Sequence, residues 1–334
     1  NTCSRCDYNE YVEIPALGHD YIHHEYKAPT CAIGWEAYDT CSRCDYVDGY
    51  VALPATGSPG LEYQVNDDGI TYSVVGIGTC TDTDIYIPAV YNGGAVTAIE
   101  AKAFYNNNTI TSVTVANSVA RIGSMAFYGC SSLVKITLPF VGFDEVTSQY
   151  LGWIFGASSY SENIHYVPAS LKHVVITDTA SIASKAFYNC SGLEGICLPN
   201  TVTSMGKDAL YGCTGLKHLT LPFLGATSSD TTNSKLSYIL NSATNIETVV
   251  LLGGTNLGEK AFSGCTSLTS VAWPPKLTKI GNYAFENCKK LDTIDIPNGV
   301  TSIGASAFSY CDDLTDITIP DSVTSIGDSA FSGC

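Results

Sequence analysis

The 334-residue chain carries 32 acidic and 16 basic side chains, a formal net charge of −16, which argues against nucleic acid and anionic membrane surfaces as partners. It is 45% hydrophobic and only 14% charged, so it has ample material for a core, yet it holds no run of 18 apolar residues that could insert into a membrane. It begins inside a Cys-x-x-Cys pair without an initiator methionine and ends inside a repeat unit, which reads as a fragment whose export and anchoring signals lie beyond it.

Residues 1–59 read as a small Cys-rich module. TCSRCDY occurs at 2–8 and again at 40–46, and each copy leads into a related phrase, IPALGHDY (14–21) and LPATGSPG (53–60). A Cys-x-x-Cys pair sets two thiolates on one tight turn, the geometry of a tetrahedral zinc site. Cys31, Cys41 and Cys44, with His19, His23 or His24 or a cysteine of the first copy as a fourth ligand, are the candidate structural zinc site of residues 1–57. Disulfide pairing and reduced thiols are the competing readings. LPATG (53–57) also spells a sorting signal, but LEYQVNDDG follows it in place of a hydrophobic segment and basic tail. It reads instead as a variant of IPALG.

Residues 60–334 read as one repeat array, with 60–100 as its N-terminal cap. LEYQV and TYSVV alternate in the strand manner around the turn residues NDDG (66–69), a hairpin expected to cover the open end of a sheet. A first, irregular tile follows with DIYIP (84–88) and VTAIEAKAF (96–104).

From 101 to 334 an Ala-Phe marker recurs at Phe104, Phe127, Phe187, Leu210 (Leu for Phe), Phe262, Phe285, Phe308 and Phe331, with 23 residues as the basic spacing. A fixed period of this length is the signature of a solenoid. In the last tile, Leu314, Ile317 and Ile319 are expected inward and Asp316 and Thr318 outward. Pro320 ends the strand for want of an amide hydrogen. A short helical turn with Asp328 at its start should close the tile. Strands are expected to begin near Ile110, Leu133, Leu171, Leu193, Leu216, Ile246, Leu268, Leu291 and Leu314. The residue before each closing position is Asn106, Gly129, Asn189, Gly212, Gly264, Asn287, Tyr310 or Gly333. Gly or Asn in all but one suits a left-handed cap. A single tile buries too little to offset its own ordering entropy, so the tiles must fold as a stack.

The unit LxxIxIPxxVxxIGxxAFxxC, matched by LDTIDIP (291–297), TSIGASAFSYC (301–311) and residues 314–334, resembles the BspA-like leucine-rich repeats of bacterial surface proteins. The resemblance covers about residues 85–334. It implies an α/β repeat solenoid, a right-handed leucine-rich-repeat array with a concave parallel β-sheet. It also implies a secreted or cell-surface protein that works by binding rather than as an enzyme.

Two units are longer than the rest. LPFVG (138–142) leads to YLGWIFG (150–156), and LPFLG (221–225) leads to KLSYILN (235–241). Leu151, Ile154 and Phe155, like Leu236, Ile239 and Leu240, share one face of a short helix, expected to pack on the outer side of the solenoid. The polar connectors 143–149 and 226–234 are the expected binding loops. Tyr150, Trp153, Tyr160 and Tyr166 could stack on a sugar ring, though core packing is the commoner use of Trp153.

The cysteines at the closing position (Cys130, Cys190, Cys213, Cys265, Cys288, Cys311, Cys334) are odd in number and point the same way, so they read as buried free thiols, with Asn107 filling the same slot. His173 and His218 occupy the same outward strand position two strands, or about 10 Å, apart. Cys197 lies on the strand between them, without an orienting third group for nucleophilic catalysis. Together with Thr220, they and the acidic, hydroxyl-rich Thr293, Asp295, Asp316 and Thr318 make up the expected ligand-binding face. The expected partner is an extracellular protein, with a glycan as the alternative.

Overall fold

A computed structural model describes residues 57–228, 234–240, 245–274 and 276–334 in full, and 21–24, 38–41 and 47–48 as backbone strands. It divides into two compact units, Asn1–Leu53 and Pro54–Cys334. In the first, Tyr21–His24, Tyr38–Cys41 and Val47–Asp48 form an antiparallel meander.

The second unit is the solenoid. Its concave sheet runs in strict chain order through Asp84–Ile87, Ser112–Val115, Lys135–Leu138, His173–Ile176, Gly195–Cys197, His218–Leu221, Thr248–Leu251 and Ser270–Ala272, and every neighbouring pair is parallel. Thr293–Asp295 and Asp316–Thr318 pair in the same sense. Each of the nine array strands starts two residues after the leucine or isoleucine that marks it in the sequence. The marker is a buried anchor at the turn and the strand proper begins beyond it.

A second row of two-residue strands lies further along each tile, as at Asn256–Leu257, Lys279–Ile280, Ser302–Ile303 and Ser325–Ile326. The N-terminal hairpin, Glu62–Val65 against Tyr72–Gly76, joins this second row and not the concave sheet as expected. Val74 pairs with Ile99 and Ile99 with Ile122, so the hairpin extends a column of fully buried side chains. Apolar burial therefore decides which row the cap covers.

The third wall carries the Ala-Phe marker. It is built of tight turns, and the only α-helix among the described residues is the four-residue Asn163–Tyr166. Amides at alternate residues donate to the next tile. Those of Lys102, Phe104 and Asn106 reach the carbonyls of Ser124, Ala126 and Tyr128 at 3.3, 2.8 and 2.7 Å. Two left-handed residues shape each turn. One is the expected cap, from Asn106 to Gly333, and Tyr310 adopts it too at φ 57°. The other precedes Ala-Phe, at Lys102, Met125, Lys185, Asp208, Lys260, Tyr283, Ser306 and Ser329, with φ between 51° and 63°. None of these is glycine, so each carries a steric cost that stacking must override.

Inside, the phenylalanines stack in a column. Phe262–Phe285 and Phe285–Phe308 lie 5.1 Å apart, and Phe308–Phe331 5.4 Å. The expected inward set of the last tile is only partly buried. Leu314 is 5% exposed but Ile319 is 39% exposed, because no described tile lies against it, whereas its equivalent Ile296 is 7% exposed.

The long units are full coils of the same solenoid. The amide of Ile122 donates to the carbonyl of Phe143 at 2.8 Å, that of Phe127 to Ile154 at 2.9 Å, and that of Leu151 to Ala186 at 2.9 Å. The 3-10 turn Leu151–Phe155 thus stands in the Ala-Phe wall, with Leu151, Ile154 and Phe155 fully buried. In the second long unit Leu210 donates to Ile239 and Leu236 to Ala261, both at 2.9 Å. The expected outer helices are core turns, since their apolar faces complete the column that Phe127 and Leu210 would otherwise leave open.

Candidate functional site

Among the sequence candidates, the structure brings four together. Thr293 pairs in register with Asp316, and Asp295 with Thr318. All four side chains are exposed on one face while Ile294 is buried beneath them. Carboxylate and hydroxyl alternate in a checkerboard, so the two like charges sit on a diagonal, not directly opposite each other. Thr293 Oγ1 also donates to Asp292 Oδ1 at 3.2 Å. The result is an acidic, hydroxyl-bearing surface on the C-terminal pair of parallel strands.

The histidines lie on the eight-stranded sheet, toward the N-terminus from the Thr293–Asp295 and Asp316–Thr318 pair. Gly195 pairs with His173 on one side and with His218 on the other. A Cβ at Gly195 would come within 2.8 Å of His173 Nδ1, so the imidazole leans into space that only glycine leaves open. His218 Nδ1 lies 2.9 Å from Thr248 Oγ1. Burial holds both imidazoles below the usual histidine value. Lys135 and Lys172 reinforce this at His173 against Glu194, and at His218 burial prevails over Glu247. Cys197 pairs with Val175 and Thr220, one step along the strand from the histidines. Thr220, expected as an exposed ligand contact, is only 5% exposed.

The first connector, 143–149, is a built turn. Asp144 Oδ1 accepts from the amides of Val146 and Thr147, and Val146 at its tip is 83% exposed. It borders a groove of about 390 Å³ that also includes Asn117, Pro139 and Asp178. In the second connector, residues 229–233 lie outside the described residues. So do Cys31, Cys44 and His19 of the expected zinc site, while Cys41 is described only as strand backbone.

The expected aromatic platform is divided. Trp153 is half-buried, donates from Nε1 to the Ile122 carbonyl at 3.0 Å and packs against Phe143 and Tyr150. Tyr166 leans on Tyr128, and Tyr160 on Tyr188. The residue after the Ala-Phe marker is tyrosine four times, which aligning the tiles would have revealed. Tyr105 stacks on Tyr128, and Tyr188 on Tyr211, each at 5.1 Å. Each stacked pair occupies its facing ring surfaces. Lys185 Nζ sits 4.6 Å over the Tyr160 ring.

The thiol ladder is a set of free, mostly buried cysteines. The Sγ–H groups of Cys213, Cys288 and Cys311 donate to the carbonyls of Phe187, Phe262 and Phe285 at 3.0, 3.2 and 3.2 Å. Burial pushes the Cys213, Cys265 and Cys311 thiols up to about 12. Asn107, in the same slot, is half-buried and works by hydrogen bonding, its Oδ1 accepting from the Thr109 and Ile110 amides.

A family model described as a BspA type leucine rich repeat region matches residues 93–150, 158–253 and 236–334 in six copies. No curated protein matches the chain. Among solved structures, the chain is similar to a leucine-rich repeat protein from Bacteroides ovatus at 22% identity, covering 82% of this chain and 91% of that one, with a TM-score of 0.33. It is also similar to a leucine rich cell surface protein from Faecalibacterium prausnitzii at 23% identity, covering 84% and 92%, with a TM-score of 0.30. A leucine-rich repeat protein from Eubacterium ventriosum matches at 20% identity over 79% and 95%, with a TM-score of 0.34.

Proposed function

The chain belongs to the BspA-type leucine-rich repeat family, and from that premise we propose that it is a secreted or cell-surface protein that binds an extracellular protein through its concave face and long-unit loops. The observation that carries this reading is the exposed checkerboard of Thr293, Asp295, Asp316 and Thr318. Side chains held on adjacent strands lose little freedom when a partner docks, so less of the contact energy goes into ordering them. Two carboxylates on that surface, in a chain of net charge −16, complement a basic patch and speed encounter with it.

A binding role, not a catalytic one, is supported by the chemistry of the thiols. Burial keeps the ladder cysteines protonated, and a protonated thiol is a poor nucleophile. The F. prausnitzii protein is described as a cell surface protein, and the same placement is proposed for this chain.

The test is a panel of basic extracellular proteins and a glycan array, each probed with the intact chain and with its D295N/D316N variant. Protein binding that weakens several-fold in the variant and falls with added salt supports the concave-face reading. Protein binding indifferent to the substitutions overturns it. Binding to glycans alone would make the protein a glycan-recognition module instead. The face-to-face tyrosine pairs weigh against that outcome, because their facing ring surfaces are closed to a sugar ring.

A further inference from the structure

The groove of about 390 Å³ beside the first connector is built by three successive tiles, just past the ends of their concave strands. Asn117 follows Ser112–Val115, Pro139 and Phe140 follow Lys135–Leu138, and Asp178 follows His173–Ile176. Val119, Ala120, Pro139 and Phe140 give the groove apolar walls. Val146, 83% exposed, lines it from the tip of the connector. Its charged lining among the described residues is wholly acidic: Asp144, Glu145 and Asp178.

The three carboxylates are not equivalent. Asp144 is committed to the turn itself, Oδ1 accepting from the amides of Val146 and Thr147 and Oδ2 from the Thr147 hydroxyl. Glu145 and Asp178 are exposed, and their carboxylates enter no ion pair or hydrogen bond among the described residues. Arg121, next to the lining residue Ala120, is already engaged by Glu100 at 2.7 Å. Asn117 adds a donor. Its Oδ1 accepts from Thr177 Oγ1 at 2.6 Å, which turns Nδ2 the other way, and the residue is exposed, so that amide is open to a partner. The second long unit opens a groove along the matching Phe223 and Leu224, but there Glu259 is offset by Lys279.

We propose that this groove receives an arginine or lysine side chain from an extended segment of the partner protein, its aliphatic stem lying on Val146 and Pro139 and its charged head pairing with Glu145 and Asp178. The inference rests on the reading of the chain as a protein-binding solenoid and names what its first long-unit loop selects. A basic side chain is apolar along its stem and charged at its tip, the same division the groove shows between its walls and its carboxylates. An acidic group would meet three like charges. An apolar side chain would cover the walls but bring no counter-charge. No three acidic, histidine or cysteine side chains among the described residues converge on a metal ion, so the charge here calls for an organic cation. A backbone carbonyl of the segment accepts from Asn117 Nδ2 and fixes its register.

The experiment titrates the intact, 15N-labelled chain with an acetyl-Gly-Arg-Gly-amide peptide at low salt and follows the backbone amides of Val146 and Thr147 and the side chain of Asn117. These should shift with saturation, and added salt should weaken the binding. The lysine peptide should bind too. The citrulline peptide, alike in shape but uncharged, should bind about fivefold more weakly, the modest loss expected of exposed pairs, and the glutamate peptide should not bind. Asp178→Asn/Glu145→Gln should weaken the arginine peptide by a similar factor. Neither carboxylate holds a structural bond, so a thermal melt of this variant should match the parent. D295N/D316N should leave the titration unchanged, so a failure of the checkerboard and a failure of the groove are read separately. Shifts that grow linearly without saturating, equal binding of the citrulline peptide, or unchanged binding in Asp178→Asn/Glu145→Gln would overturn the proposal. Spermidine binding as tightly as the peptide would make this a polyamine site and overturn it as well.

Discussion

The amide of Phe127 donates to the carbonyl of Ile154 at 2.9 Å, and that one bond makes the first long unit a coil of the solenoid. Ile154 occupies the wall position that alanine holds in a regular tile, as the Phe104 bond to Ala126 shows. Its fully buried side chain joins the central column. Ile154→Ala should therefore cost about 2 to 5 kcal/mol, the range for opening a cavity in a packed core. Val146→Ala, at the exposed tip of the neighbouring connector, should stay within about 0.5 kcal/mol. Urea denaturation of both variants checks this, and equal effects would put the 3-10 turn outside the core.

A regular tile gives the matching contrast. Phe285 is fully buried, stacks on Phe262 and Phe308, and meets the edge of Trp273 at 5.7 Å. Phe285→Ala should cost about 3 to 5 kcal/mol. Thr318 is exposed on the concave face, and Thr318→Ala should cost less than about 0.5 kcal/mol. A denaturant series in which the two midpoints move together would contradict the inward and outward assignment.

Tyr310 holds the left-handed cap position, φ 57°, that glycine or asparagine holds in the other seven tiles. Its ring is 54% exposed and would meet a Cβ at Gly333 at 2.9 Å. Tyr310→Gly relieves the left-handed strain, worth about 1 to 2 kcal/mol, but loosens the unfolded chain by about 0.4 to 1 kcal/mol. It should leave stability unchanged or slightly raised. Tyr310→Val, β-branched and ill suited to positive φ, should destabilise. Thermal melts ranking valine above glycine would refute a left-handed requirement at this turn.

The 23-residue period, the strand starts and the glycine-marked caps were legible because each has its own residue code. The second left-handed series was not, since Lys102, Asp208 and Tyr283 carry no common mark and are held by stacking alone. Apolar spacing also could not place the long units. Leu151, Ile154 and Phe155 read the same on an outer helix as in a core turn, and only the bond to Phe127 decides. At the candidate site, alternation along single strands was enough to expose Thr293, Asp295, Asp316 and Thr318. The burial of Thr220 and the space that Gly195 leaves for His173 depend on neighbouring strands, which no single strand encodes.

The thiol ladder should be inert in the folded chain. Alkylation with iodoacetamide under native conditions, followed by peptide mass analysis, should label the exposed Cys334 and the half-buried Cys80 first. Cys213, Cys265 and Cys311, with thiols pushed up to about 12 by burial, should react only after denaturation. Labelling of Cys213 at the rate of Cys334 would mean that the wall opens locally.

Mild acid should weaken the fold through His173 and His218. Burial holds both imidazoles below 6.5 in the folded chain, so on acidification the unfolded chain takes up these protons first. The unfolded state then binds more protons, and stability falls as pH drops from about 6.5 toward the folded values. Below those values both states are protonated and the slope vanishes. The shifted carboxylates Asp68, Asp144 and Glu162 lie below their ordinary values of 3.8 to 4.5 and act only at lower pH. Urea midpoints at pH 7.5 and 5.5 should therefore be closer together in His173→Gln/His218→Gln than in the parent chain. A parent chain equally stable at both pH values, or a variant with the same difference, would show that these two imidazoles do not set the acid response.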